Sequence, residues 1–176
     1  YKIDFGIVGE GEGAFIELLA YIQNNSKTFS IPNVVTKDKR KTDVRSLIEN
    51  LDTLPMPDYN GYYGADLWLK DFPVKMFMPS RGCPFKCTYC FNHQYNTMYR
   101  RKGPIIRRYS VDRLIEEILF VKKNFPLEFV RFNDDCFVMK CDEWLEELCS
   151  KYPRKINLPF FCCIDPTNVS DEIIYM

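Results

Sequence analysis

Apolar residues recur along the chain with two different periods, and these mark its elements. Val111, Leu114, Ile115, Ile118 and Leu119 fall at helical spacing, which predicts an amphipathic helix over residues 111–124. Ser110 stands where an N-cap belongs, and Asp112 lies in the first turn, where the helix dipole favours a carboxylate. Pro126 ends that unit. A second helical pattern covers 142–152, with Trp144, Leu145, Leu148 and Cys149 inward, and a third helix begins over 170–176. Short apolar runs at 74–78, 127–132 and 158–164 read as strands. A β–α–β–α–β order predicts parallel strands with right-handed crossovers. Chemistry in such folds gathers at the C-terminal ends of the strands.

The N-terminal part carries a weaker pattern. Residues 1–8 read as a short buried strand, followed by the turn Gly9, Glu10, Gly11, Glu12, Gly13 and a helix with Phe15, Leu18, Leu19 and Ile22 on one face. Strand, glycine turn and helix make half of a βαβ unit. Such a turn offers free backbone N–H groups to a phosphate, but Glu10 and Glu12 would repel an anion and suit the helix dipole instead. Residues 31–36 read as a strand and 37–41 as a polar turn, so a small hairpin is expected with its basic run at a solvated tip. Residues 46–51 suggest a short helix. Residues 52–64, with two prolines and two glycines, read as linker.

Composition narrows the function classes. A chain of 176 residues, 46% hydrophobic and 15% aromatic, suits one globular domain, or one and a fragment. Its formal net charge is zero, so electrostatics nominate no nucleic-acid partner. No apolar run approaches a membrane span, and no signal peptide precedes the first strand. Eight cysteines without a secretory signal predict a reducing, cytoplasmic compartment with thiols used for metal or packing. Cys136, Cys141, Cys149, Cys162 and Cys163 read as small buried hydrophobes.

The other three cysteines carry the chemistry. Cys83, Cys87 and Cys90 stand at Cys-x3-Cys-x2-Cys spacing directly after the 74–78 strand, where Gly82 and Pro84 keep the chain out of helix or strand. A [4Fe–4S] cluster that only stores electrons takes four cysteines. Three ligands leave one position open, the usual difference between a catalytic and a structural metal site. A closed Cys3His zinc site with His93, three residues after Cys90, is the bland alternative. A disulfide framework suits neither the chain's length nor its lack of secretory marks.

The cysteine loop, with the aromatic Tyr89 before its third cysteine, resembles the signature of the radical SAM superfamily. The turn at Val8–Glu12 and the segment Leu54, Pro55, Met56, Pro57, Asp58, Tyr59 resemble the approach to the barrel in the subgroup that carries a cobalamin-binding domain. The resemblance implies an α/β fold: a partial (β/α) TIM-like barrel of the first three or so βα units, preceded by the end of a Rossmann-like domain. It divides the chain into 1–28, the last strand and helix of that domain; 29–72, hairpin and linker; and 73–176, the start of the barrel.

It also implies roles. Cys83, Cys87 and Cys90 ligate a [4Fe–4S] cluster, which cleaves S-adenosylmethionine (SAM) to give a 5′-deoxyadenosyl radical. Asp134 and Asp135, after the second strand, receive the SAM amine by charge-assisted hydrogen bonds. Tyr89 and Phe91 pack against the adenine. Cobalamin belongs to a longer parent, since the Asp-x-His-x-x-Gly motif is absent and His93 is the only histidine. Methyl transfer to a small-molecule substrate, with a flavodoxin or ferredoxin as electron donor, is the implied activity. A methylthiotransferase-like protein is the runner-up within the superfamily, lacking here its second cysteine triad. The polar crossing with Arg100, Arg101, Lys102, Arg107 and Arg108 suits a phosphate or carboxylate substituent, or a solvated loop.

Overall fold

The computed structural model describes residues 3–24 and 29–175. The chain forms two compact units. One comprises residues 1–49 and 85–105, the other 50–84 and 106–176. One boundary falls inside the cysteine loop, between Pro84 and Phe85, so Cys83 belongs with the second unit and Cys87 and Cys90 with the first.

In the first unit, β1 (Phe5–Ile7), α1 (Glu12–Gln23) and β2 (Val34–Thr36) follow in order, and β1 pairs antiparallel with β2. The expected strand, turn and helix are present, but they do not continue into a parallel βαβ unit: β2 pairs antiparallel with β1, not with a strand beyond residue 41 as a hairpin would require. The residues after β2 turn tightly, with Lys39 N donating to the Thr36 hydroxyl and Thr36 N to Lys39 O. A ribbon of two short strands covers little of a helix. Accordingly α1 buries only Ala14 and Leu18, while Phe15, Leu19 and Ile22, expected inward, are exposed. Residues 46–50 form no helix. Residues 1–2, 25–28 and 176 lie outside the described residues, and with them the start of the expected first strand, the expected domain boundary at residue 28 and the last residue of the expected third helix.

The second unit opens with a 3-10 turn (Leu51–Thr53), then α2 (Tyr59–Gly64), α3 (Leu67–Asp71), β3 (Val74–Phe77) and β4 (Ser80–Arg81). In the first unit, α4 (Asn92–Met98) follows the cysteines. The second unit resumes with β5 (Arg107–Arg108), α5 (Val111–Asn124), β6 (Phe129–Phe132), α6 (Glu143–Lys155), β7 (Phe160–Phe161), a 3-10 turn (Pro166–Asn168) and α7 (Asp171–Ile174). β3, β6 and β7 make a parallel sheet in that order. β4 and β5 form a separate antiparallel pair.

The sequence dictates why these helices form where they do. The Ser110 hydroxyl caps α5 by accepting from Arg113 N, and Asp142 caps α6 by accepting from Leu145 N. Both helices lay an apolar stripe on one sheet face: Val111, Leu114, Ile115, Ile118 and Val121 from α5, Leu145, Leu148 and Tyr152 from α6. Leu119, expected on that face, is partly exposed. Lys75, Phe77, Val130 and Phe132 are buried in β3 and β6, alternating with Met76 and Arg131 at period two.

The segment expected to be linker is instead part of this core. Asp58 caps α2, and Tyr59 and Tyr63 are buried, with the Tyr59 hydroxyl donating to the Glu117 carboxylate on α5. The third strand also departs from expectation. Phe160 and Phe161 are 45% and 46% exposed, β7 being an edge strand of this sheet.

Candidate functional site

The C-terminal ends of β3 and β6 come together through backbone and side chain. Asn133 N donates to Phe77 O at 2.9 Å, holding the chain after β6 against the last residue of β3. One residue on, Asp134 Oδ1 accepts from Ser80 N at 2.6 Å and from the Ser80 hydroxyl at 2.5 Å. Asp134 is 4% exposed, and its Oδ2 has no partner among the described residues. Burial pushes its carboxyl up to about 6, against the pull of the two Ser80 donors. Asp135, its neighbour, is exposed. The paired acids thus have opposite environments, which their adjacency in the sequence does not announce.

Ser80 lies in β4, opposite Arg108 of β5, and Tyr109 N donates to Pro79 O at 2.9 Å beside that pair. Gly82 follows with φ of 92°, a left-handed conformation that a side chain resists, and the buried Cys83 comes next. Arg108 is not free to meet a ligand phosphate. Its guanidinium pairs with Asp142 at 2.8 Å and lies over the Trp144 ring at 4.7 Å. Pro84, Ile106, Arg108, Met139, Lys140 and Asp142 line an open cleft.

On the other side of the unit boundary, Cys87 and Cys90 lie in a turn closed by Cys90 N donating to Cys87 O at 3.0 Å. Asn92 N, at the start of α4, points at the Cys90 sulfur at 3.5 Å. Tyr89 is 90% exposed and Phe91 is exposed as well, so both rings offer an uncovered face. His93 is half-buried on α4, with no partner to its Nδ1 among the described residues. None of the eight cysteines forms a disulfide. Three soft thiol donors suit iron–sulfur ligation in kind. Among the described residues, neither these cysteines nor any other His, Cys, Asp or Glu side chains form a gathered group of three or more metal ligands.

Of the remaining cysteines, Cys136 is buried, and its thiol, like those of Cys149 and Cys162, is raised by burial, Cys162 to about 11. These behave as apolar packing groups. Cys163 is exposed, contrary to that expectation, and its carbonyl accepts from Phe137 N at the end of the third strand. Cys141 is half-buried.

The protein itself occupies part of the glycine-rich turn. Glu10 N donates to the Tyr99 hydroxyl at 2.8 Å, and Glu10 Oε2 accepts from Ile48 N at 3.0 Å. Ser80 and Tyr99 are the two residues that sequence reasoning missed. Neither belongs to a motif, and the side-chain hydrogen-bond partners of each lie more than fifty residues away.

No protein-family model matches the chain. It is 31% identical over 144 residues to an uncharacterised methyltransferase of Pyrococcus horikoshii, covering 78% of this chain and 29% of that protein. In structure it resembles the cobalamin-dependent S-adenosylmethionine radical enzyme OxsB, solved with aqua-cobalamin and S-adenosylmethionine bound. The TM-score is 0.65 at 16% identity, over 89% of this chain and 22% of that one. It also resembles the radical S-adenosylmethionine methyltransferase TsrM of Kitasatospora setae, with a TM-score of 0.65 at 15% identity, over 97% of this chain and 34% of that one. The chain therefore spans about a third or less of the length of these proteins. Among the described residues, no helix is long and apolar enough to cross a membrane.

Proposed function

We propose, from the premise that this chain belongs to the radical SAM superfamily and has the fold of its cobalamin-dependent enzymes, that it carries the cluster-binding segment of a radical SAM methyltransferase. The observation that carries this reading is the Cys83, Cys87, Cys90 loop leaving the C-terminal end of a parallel strand, with none of its thiols in a disulfide. Those three residues would hold a [4Fe–4S] cluster. When bound, such a cluster supplies one electron to cleave SAM into methionine and a 5′-deoxyadenosyl radical.

The chain's own residues position and shield. The exposed Asp135 is the acid available to accept from the SAM amine, and the open faces of Tyr89 and Phe91 suit packing against an adenine. Asp134 precedes Asp135 in the chain, and one of its carboxylate oxygens is already taken up by Ser80.

The sheet supports a barrel. Met76, Arg131 and Phe161 stand side by side in register, and all three are exposed on the sheet face away from the helical core. In a (β/α) barrel that row is interior, with further strands completing the wall. Cobalamin, an electron donor such as flavodoxin or ferredoxin, and a small-molecule substrate belong to this reading at the level of a longer protein in a reducing compartment.

The buried, unpartnered Nδ1 of His93 favours one rival, a Cys3His zinc site. Anaerobic reconstitution followed by iron, sulfide and zinc analysis separates the two. The cluster reading expects iron and sulfide in equal amounts, kept in His93→Ala and lost in Cys87→Ala. Zinc without sulfide, lost in His93→Ala, would establish the rival.

A further inference from the structure

We infer that the two adjacent acids divide their work: Asp134 is a positioning residue that clamps Ser80 and so sets the start of the cysteine loop, leaving ligand contact to Asp135. This rests on the reading of Cys83 as a cluster ligand. The geometry is specific. A single oxygen, Asp134 Oδ1, takes both the backbone N–H and the hydroxyl of Ser80, at 2.6 and 2.5 Å. A carboxylate accepting two short donors from one residue fixes that residue's backbone and its rotamer together.

Ser80 also opens the last stretch of strand pairing before Gly82 turns the chain. It sits in β4 against Arg108, and the next residue, Arg81, pairs with Arg107. After Gly82, with its φ of 92°, comes Cys83. A shift of Ser80 is therefore passed through two residues to the first thiol. Asp134 is itself held by its place, since Asn133 N donates to Phe77 O immediately before it. At 4% exposure the clamp excludes water, whereas Asp135 is exposed and so open to a ligand. The second oxygen of Asp134 has no partner among the described residues. A ligand donor reaching that atom is the competing account.

Two measurements decide. In the cluster-free chain, Cys83 alkylation by iodoacetamide is followed by peptide mapping. Asp134→Ala is expected to speed it about tenfold, Ser80→Ala less, and the double variant no more than Asp134→Ala alone. Asp134→Asn, whose amide oxygen still accepts from Ser80, should restore the slow rate. Asp135→Ala should leave it unchanged. An unchanged Cys83 rate in Asp134→Ala overturns the clamp whatever metal the protein holds. In the reconstituted chain, loss of iron to a chelator and the SAM concentration needed to alter the electron paramagnetic resonance spectrum are read separately. Asp134→Ala is expected to accelerate iron loss, and Asp135→Ala to raise the SAM requirement at unchanged iron loss. The reverse pattern assigns the ligand contact to Asp134 and refutes the division. Failure of the wild-type chain to take up iron and sulfide would sink the cluster reading alone, because the alkylation result stands without it.

Discussion

The Tyr99 hydroxyl sits under the turn that follows β1, accepting from Glu10 N at 2.8 Å, with Tyr99 itself 1% exposed. Asn33 braces the same place. Its side chain donates to Val8 O at 2.8 Å and accepts from Arg45 N at 2.9 Å, from a backbone held at φ of 68°. Tyr99 terminates α4, the helix that begins just after Cys90. The glycine turn is thus a socket for a side chain from the cysteine-bearing segment, which explains its glycines without a ligand.

Tyr99→Phe leaves Glu10 N without its acceptor and is expected to cost about 1–3 kcal/mol. Gly9→Ala should cost more, about 2–4 kcal/mol. A Cβ there would collide with the Tyr99 hydroxyl, and the backbone has φ of 78°. Urea unfolding of the two variants checks the order. A Gly9→Ala protein as stable as wild type would refute the socket.

Asp134 predicts a pH dependence. Its carboxyl is raised from 3.8 to about 6 in the folded chain. Between those values the native state keeps a proton that the unfolded chain has released. The stabilisation is therefore full below pH about 4 and fades as pH rises through about 6, by at most about 3 kcal/mol. Asp134→Asn should flatten that part of the stability–pH curve while retaining the bonds to Ser80. Denaturant midpoints measured from pH 4 to 8 for both proteins give the comparison.

The Tyr59–Glu117 pair predicts the behaviour of the core. Burial raises the Glu117 carboxyl despite the donor from Tyr59, and burial likewise raises the Tyr59 hydroxyl. Tyr59→Phe strands a buried carboxyl and is expected to destabilise by about 2–3 kcal/mol at neutral pH, with part recovered at acid pH where Glu117 is protonated. Thermal unfolding at two pH values shows whether the recovery occurs.

Asp142 serves two partners, capping α6 through Leu145 N and pairing with Arg108. Asp142→Ala should therefore cost more than Arg108→Ala, about 2 against about 1 kcal/mol. The double variant should fall short of the sum. A double-mutant cycle by chemical unfolding measures the shortfall.

These residues also show what the sequence could reveal. The helices at 111–124 and 143–155 were legible because their apolar stripes, together with Ser110 and Asp142 at their starts, act within a few residues of each other. The cysteine loop was legible because its three cysteines share one short stretch. α2 was not, since its tyrosines sit among prolines and glycines, and the hydrogen-bond partner of the buried Tyr59 is Glu117, 58 positions away. The split between Asp134 and Asp135 was hidden for the same reason, the deciding partner being Ser80, 54 positions back. The antiparallel pairing of β1 with β2 depends on a choice of neighbour that alternation along one strand does not record.

The most direct test is the electron paramagnetic resonance spectrum of the anaerobically reconstituted, dithionite-reduced chain before and after addition of SAM. Three cysteine ligands with one iron open to a small molecule predict a reduced [4Fe–4S] signal that changes shape when SAM is added, and that Cys87→Ala abolishes. A chain that binds zinc and yields no such signal, or a cluster whose spectrum SAM leaves untouched, would contradict the account.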